Sequence, residues 1–398
     1  MPNRLTRLRV KNYRCLADLS VEIGPLNVLF GPNGAGKSAF LDTIWFVRDC
    51  AIRGVDMASS VRSHGIGILW DGAPEGAPIS LTLATEDVEY ELTFGLSSGR
   101  IEPYAGERLH SLRRSTTLMD RKLGTNEALF YNLGVDYASK VPLREPQKLN
   151  LGRYLDFEGR ATEAADLDRL LHFVHFHHSR SFFLYRVKQQ GSEDSHETWL
   201  SERGDNVWSV LRNLHDRQSV DDRYDTIIEF MKEAFPSFDG ILLEKTGPST
   251  VYGSFHEKGR REHIRASGVS DGHLQMLLLL TALFAEGRER DSLMLLDEPE
   301  VSLHPWALSV LAKALKLAAG EWRKQIVVAT HSPVLISQFD PADILATEVE
   351  DGRTVMRRVS EMADIRDLLE QYAAGSLYMA QAIAAQAKGL ELPAGTGL

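Results

Sequence analysis

The chain of 398 residues has little cysteine: Cys15 and Cys50 alone, in no CxxC or Cys/His spacing. That excludes a disulfide-stapled scaffold, gives no structural zinc motif, and suits a reducing, cytoplasmic setting. Long apolar runs are also missing. The most apolar stretch, residues 274–285, contains Gln275 and Thr281, and a membrane helix needs roughly 20 residues. No apolar segment follows the basic residues of the N-terminus, so no secretory signal is expected. Any transport role would need a separate membrane subunit. Positive charge is not in excess: 45 Lys+Arg against 55 Asp+Glu give a net charge of −10. A protein that coats nucleic acid would be basic overall, although a local basic patch is compatible with this average. Heptads are not sustained, which argues against a long coiled-coil arm. No internal repeat is evident.

What is present is an ordinary globular composition, 43% hydrophobic and 25% charged, of a length that suggests two or three domain-sized units. Residues 5–10 and 26–30 read as strands, and a helix pattern runs from Lys37 to about Arg53. Residues 79–101 alternate apolar and polar as an antiparallel meander does. From 106 to 238 charged and polar residues dominate, with helix-like stretches at 161–173, 206–216 and 221–234. Beyond 238, helices alternate with short, wholly apolar strands, the mark of a sheet buried on both faces. The fold expected is therefore α/β, with one head split in sequence. Residues 1–105 and 239–398 form its two parts, and 106–238 is a mostly helical insert. The tail, 363–388, is helix-prone with a break at Gly375.

Residues 31–38, Gly-Pro-Asn-Gly-Ala-Gly-Lys-Ser, match GxxxxGK followed by Ser or Thr, with a strand before and a helix after. Such a loop turns several N–H groups onto a phosphate, and the following helix adds its positive end. Asn33, Gly34, Ala35 and Gly36 would form the cradle. Lys37 would reach the β- and γ-phosphates of ATP, and the Ser38 hydroxyl would hold Mg²⁺. Residues 293–296 are an apolar strand ending in Asp297-Glu298-Pro299. Beside a phosphate loop this is a Walker B element: Asp297 would bind Mg²⁺ and Glu298 would polarise the attacking water. His331 ends another apolar strand about 33 residues on, placed to sense a γ-phosphate. Ser270-Asp271-Gly272 precedes the apolar helix, with Ser270 as N-cap and Gly272 allowing close backbone approach.

These four elements in this order resemble the ABC/SMC class of ATPases. They look most like the RecF-like and OLD-like AAA ATPases of bacteria, including ATP-binding subunits of anti-phage defence systems. The N-terminal Val10-Lys11-Asn12-Tyr13-Arg14 is similar to that group's first strand. Ser270-Asp271-Gly272 fits its signature, and residues 297–305, Asp-Glu-Pro-Glu-Val-Ser-Leu-His-Pro, match its Walker B run closely. Thr330-His331-Ser332-Pro333 matches its switch, and residues 369–377 resemble its C-terminal helix. The resemblance implies a composite site. Lys37, Ser38, Asp297, Glu298 and His331 come from one protomer, and Ser270 and Gly272 close over the γ-phosphate from another. It implies a homodimer, or a higher even-numbered oligomer, clamped by ATP. Arg14 lies where the group contacts the nucleotide.

The sequence also departs from that pattern. Residues 57–71 hold no Q-loop glutamine, and the stretch after Pro333 is too short for a TOPRIM nuclease domain, so nuclease chemistry is expected on another polypeptide. Histidines at 172, 175, 177 and 178 are expected to pack or sit at the surface. Basic clusters at Arg108, Arg113, Arg114, Arg121 and Lys122, and at Lys258, Arg260, Arg261 and Arg265, are candidate DNA contacts. The implied activity is a Mg²⁺-dependent ATPase acting as a switch on DNA or on a nuclease or toxin effector, in anti-phage defence. The alternatives are a RecF-like repair or DNA-clamp ATPase and, from another class, a transporter's nucleotide-binding subunit.

Overall fold

A computed structural model describes residues 3–362 and 374–379. Its middle layer is a six-stranded sheet in the order Val174–His178, Ser292–Asp297, Lys324–Thr330, Leu26–Phe30, Ile344–Glu350, Arg353–Arg358. The first five strands are parallel and the last closes an antiparallel hairpin. Successive residues of each strand enter opposite cores. Leu29, Leu293, Leu295, Val327 and Ala329 face the helix Lys37–Arg53 and a second sheet. Val28, Phe30, Met294, Leu296, Ile326 and Val328 face four helices: Val207–His215, Arg223–Ala234, Asp271–Phe284 and Pro305–Glu321. Burial on both faces is why these strands read as unbroken apolar runs.

The second sheet is antiparallel and eight-stranded. Its order is Tyr137–Pro142, Glu127–Asn132, Thr116–Arg121, Gly106–Ser111, Val88–Phe94, Ile79–Ala84, Arg7–Tyr13, Leu16–Glu22. The expected insert therefore does not begin with helices, and the boundary expected at 105/106 falls inside this sheet. The physical reason lies at its inward positions. Glu107 and Arg121 point into the core, where their side chains are fully buried and paired at 3.3 Å. Glu107 also accepts from Tyr90 Oη, at 2.8 Å, and from the Asn150 backbone N–H, at 2.8 Å. Polar residues facing inward break the apolar alternation by which a strand is recognised.

The helices expected at 161–173, 206–216 and 221–234 form as Thr162–His172, Val207–His215 and Arg223–Ala234. They do not stand apart as a unit: the first packs in the core beneath the eight-stranded sheet and the other two in the core on the opposite side. Residues 174–178 supply the edge strand of the central sheet, paired in parallel with the Walker B strand. Gly375 lies inside the helix Ala374–Met379, pressed against the Pro333 carbonyl and Ser337. The rest of the expected C-terminal helix, including Leu369, lies outside the described residues.

A candidate nucleotide site at the ends of the central strands

The strand Leu26–Phe30 delivers the glycine-rich loop to the C-terminal edge of the sheet, the usual place for ligands in an open parallel sheet. The loop is tightly seated. A Cβ at Gly31 would collide with the Thr347 carbonyl, and one at Gly36 would meet Thr354 and the Cys15 thiol. Gly36 has φ 101°, a left-handed conformation that glycine alone takes without penalty. Lys37 is buried, and its ammonium donates to the loop's own carbonyls, Gly31 at 2.8 Å and Pro32 at 2.9 Å. It also lies 3.4 Å from His331 Nδ1. Burial lowers its pKa to about 8, against the pull of Asp297, Glu300 and Glu298.

Asp297 ends the neighbouring-but-one strand, buried and hydrogen-bonded to Ser38; burial raises its pKa. Glu298 follows with φ 51°, so the chain turns sharply just after the strand and presents the carboxylate to the cleft. His331 Nε2 stands 3.9 Å from Glu298 Oε1. Burial, then the nearby Lys37, lowers the His331 pKa. The His331 backbone N–H donates to Glu300 Oε1 at 2.7 Å, so Glu300 holds the switch loop against the Walker B loop.

One open cleft of about 760 Å³ has Arg14, Asn33, Gly34, Gly36, Lys37, Ser38, Glu298 and His331 on its walls. Arg14 reaches it from a turn with φ 52° and pairs with Asp42 of the loop's own helix at 2.8 Å. At the place expected for a Q-loop, residues 67–72 supply Trp70, Asp71 and Gly72 to the cleft. The Arg353 guanidinium stacks 5.1 Å over the Trp70 ring. Ser270 and Gly272 do not line this cleft. Ser270 caps the helix Asp271–Phe284, its hydroxyl accepting from the His273 N–H at 3.4 Å. A Cβ at Gly272 would come within 2.5 Å of the Ser302 carbonyl, so this helix sits directly on the loop that follows Glu298.

Two further side chains, His178 and Arg180, reach the carboxylates from the edge strand Val174–His178 and the turn after it. The register pairs His178 with Asp297. His178 Nδ1 accepts the Arg180 backbone N–H at 3.1 Å, which leaves Nε2 facing Asp297 Oδ2 at 3.9 Å. Arg180 Nε donates to Glu298 Oε2 at 2.5 Å. Neither residue belongs to a sequence motif, and the pairing that brings them to the carboxylates joins segments more than a hundred residues apart. The other histidines differ. His177 is buried, which lowers its pKa to about 3, and it packs on Phe182. His175 pairs with buried Glu286 at 2.9 Å, and His172 lies 3.4 Å from Asp168.

The first basic cluster is not a continuous positive face. Arg121 is the buried partner of Glu107, Arg114 pairs with Glu163 at 2.9 Å, and Arg113 with Asp87 at 3.4 Å. In the second, Arg260 pairs with Glu257 at 3.0 Å, while Arg261 and Arg265 are exposed. Among the described residues, no helix is long and apolar enough to cross a membrane.

Residues 26–337 match the protein family described as "AAA domain, putative AbiEii toxin, Type IV TA system". The chain is 25% identical over 370 residues to OLD nuclease of Thermus scotoductus, covering 90% of this chain and 64% of that protein. It is 20% identical over 377 residues to Old nuclease of Escherichia phage P2, covering 90% of this chain and 61% of that protein. It thus spans a little under two thirds of the length of these two relatives. The crystal structure of an SMC head bound to the C-winged helix domain of ScpA shares the fold, with a TM-score of 0.53 and 14% identity. That match covers 91% of this chain and 99% of that one.

Proposed function

The chain belongs to this AAA-domain family of P-loop ATPases, built on an SMC-like head, and from that premise we propose that it dimerises on ATP and works as a conformational switch. The proposed setting is the ATPase component of an anti-phage defence system that controls a nuclease or toxin effector. The observation that carries the ATPase reading is the convergence of Lys37, Ser38, Glu298 and His331 on one cleft, with Asp297 hydrogen-bonded to Ser38.

In this reading the loop's N–H groups and Lys37 bind the β- and γ-phosphates, and Lys37 exchanges the Gly31 and Pro32 carbonyls for phosphate oxygens. Ser38 and Asp297 offer a hydroxyl and a carboxylate side by side, a donor set suited to a hard divalent cation, and burial disfavours the Asp297 charge, a penalty that a cation would offset. Bound Mg²⁺ would supply charge neutralisation at the phosphates. Glu298 accepts a hydrogen bond from the attacking water and orients it towards the γ-phosphate. His331, near both Lys37 and Glu298, donates to the developing charge. Arg14 and Trp70 border the part of the cleft left for the rest of the nucleotide.

Dimerisation is supported by what one chain's cleft does not include. Ser270 is exposed at the start of its helix and lines no part of that chain's cleft, so it is available to a second copy's phosphates. The defence role is supported by the names of the relatives, two nucleases, one of them encoded by a phage, and by the toxin in the family description. A second reading, a DNA-clamp ATPase of RecF type, is favoured by exposed Arg261 and Arg265 just before the signature helix. Glu298→Gln tests the chemistry. It should bind ATP, turn it over about a hundredfold or more slowly, and accumulate as an ATP-bound dimer on gel filtration. Wild-type turnover in this variant would remove Glu298 from its role.

A further inference from the structure

Arg180 belongs to none of the motifs, yet it makes the shortest polar contact that Glu298 has. The edge strand Val174–His178 runs in register with the Walker B strand, so the chain leaves it level with the two carboxylates. A single turn of 3-10 helix, Ser179–Ser181, then directs Arg180 onto Glu298. Glu298 is thereby held between two groups, with Oε2 on Arg180 and Oε1 near His331. The Arg180 side chain is 69% exposed and that of Glu298 is 22% exposed. The guanidinium therefore approaches from the solvent side, and the fold does not depend on it.

The segment carrying Arg180 is fastened twice to the helix Asp271–Phe284. Buried Gln275 donates from Nε2 to the Ser179 carbonyl at 3.0 Å. Lys188, in the short helix Leu184–Gln189, pairs with Asp271 at 2.5 Å. Both anchors lie in the first turns of the helix that begins at Ser270. A displacement of that helix on contact with a second copy would move the Ser179 carbonyl, then Arg180, and so Glu298.

We propose that Arg180 is a positioning residue for Glu298, and that Gln275 couples it to the signature helix of the same chain. The inference rests on the ATPase reading above and adds a route by which contact between copies sets the water-orienting carboxylate. An arginine suits this task because its planar fork fixes direction as well as charge.

The test is steady-state and single-turnover ATP hydrolysis by the full chain carrying Arg180→Ala, Arg180→Lys, Gln275→Leu, Glu298→Gln, and the Arg180→Ala/Glu298→Gln pair. Arg180→Ala should lower kcat about ten- to a hundredfold and leave KM within about twofold, because the substrate contacts are untouched. Arg180→Lys should recover part of the loss. Gln275→Leu, which keeps the volume but frees the Ser179 carbonyl, should lower kcat about threefold to tenfold. In the Glu298→Gln background, Arg180→Ala should add less than about twofold, since both act through one group. Unchanged or faster turnover in Arg180→Ala would overturn the proposal, showing a bystander or a restraint. So would an equal loss in both backgrounds, which would place the guanidinium on the phosphate itself. If Glu298→Gln turns over at the wild-type rate, it is the ATPase reading that fails, whatever Arg180 does.

Discussion

The two large sheets place their buried polar groups differently. The central sheet is aliphatic on both faces along the middle of its strands, from Val28 to Val328, and carries polar side chains towards the strand ends: Asp297, Glu298 and His331 at the site, and Gln325 and Lys324, paired with Glu286 at 3.2 Å, at the other end. The eight-stranded sheet places polar groups inside itself, with Arg121 on Glu107 and both linked to neighbouring segments. The comparison separates two tasks. Close-packed apolar strands fix where the site residues stand, because each strand end can move only if two cores repack. The buried ion pair fixes how the outer strands and the 145–150 loop fit together, since only this arrangement satisfies the charges.

The two tasks should come apart under substitution. The largest effect on stability is expected from Glu107→Ala, which leaves Arg121 buried without its carboxylate at a cost of about 3–5 kcal/mol. Urea unfolding should show this loss, while ATP turnover per folded molecule at low temperature stays near the wild-type value. Leu295→Ala should cost about 3 kcal/mol through the cavity it leaves, and here turnover should fall as well, because Asp297 and Glu298 lie just beyond it. If turnover survives Leu295→Ala but is lost in Glu107→Ala, the division between the sheets is reversed. A smaller effect belongs to Lys37. Its pKa of about 8 in the free protein is set mainly by burial, and phosphate would raise it. ATP binding therefore takes up a proton once pH exceeds that value. Affinity should be flat below about pH 7 and fall about threefold between pH 7.5 and 8.5. Titration with a fluorescent ATP analogue checks this, and Lys37→Ala should flatten the dependence.

The same division explains what could be read from the sequence. The phosphate loop, the Walker B strand and the His331 strand are apolar runs with polar ends, and that pattern is local. The helix Lys37–Arg53 and the strand Leu26–Phe30 form over the residues expected. Of the four strands between 106 and 142, Gly106–Ser111 and Thr116–Arg121 were hidden because their inward positions carry Glu107 and Arg121, whose mutual partnership is visible only in three dimensions. The strand Val174–His178 is short and rich in histidine, and its partner lies more than a hundred residues away. Arg180 and His178 could not be placed without that pairing. Arg121, counted from sequence as a surface cation, is the opposite case: a charge that the fold buries.

The proposed composite site requires that one chain's cleft be completed by the Ser270 helix of another. The decisive measurement is ATP hydrolysis by a mixture of Lys37→Ala and Ser270→Arg, each inactive alone. Their mixed dimer would hold one site with both Lys37 and Ser270 intact. A random equimolar mixture should therefore recover roughly a quarter of the wild-type ATPase rate. Full activity of Ser270→Arg by itself, or a mixture no more active than its parents, would contradict the composite site.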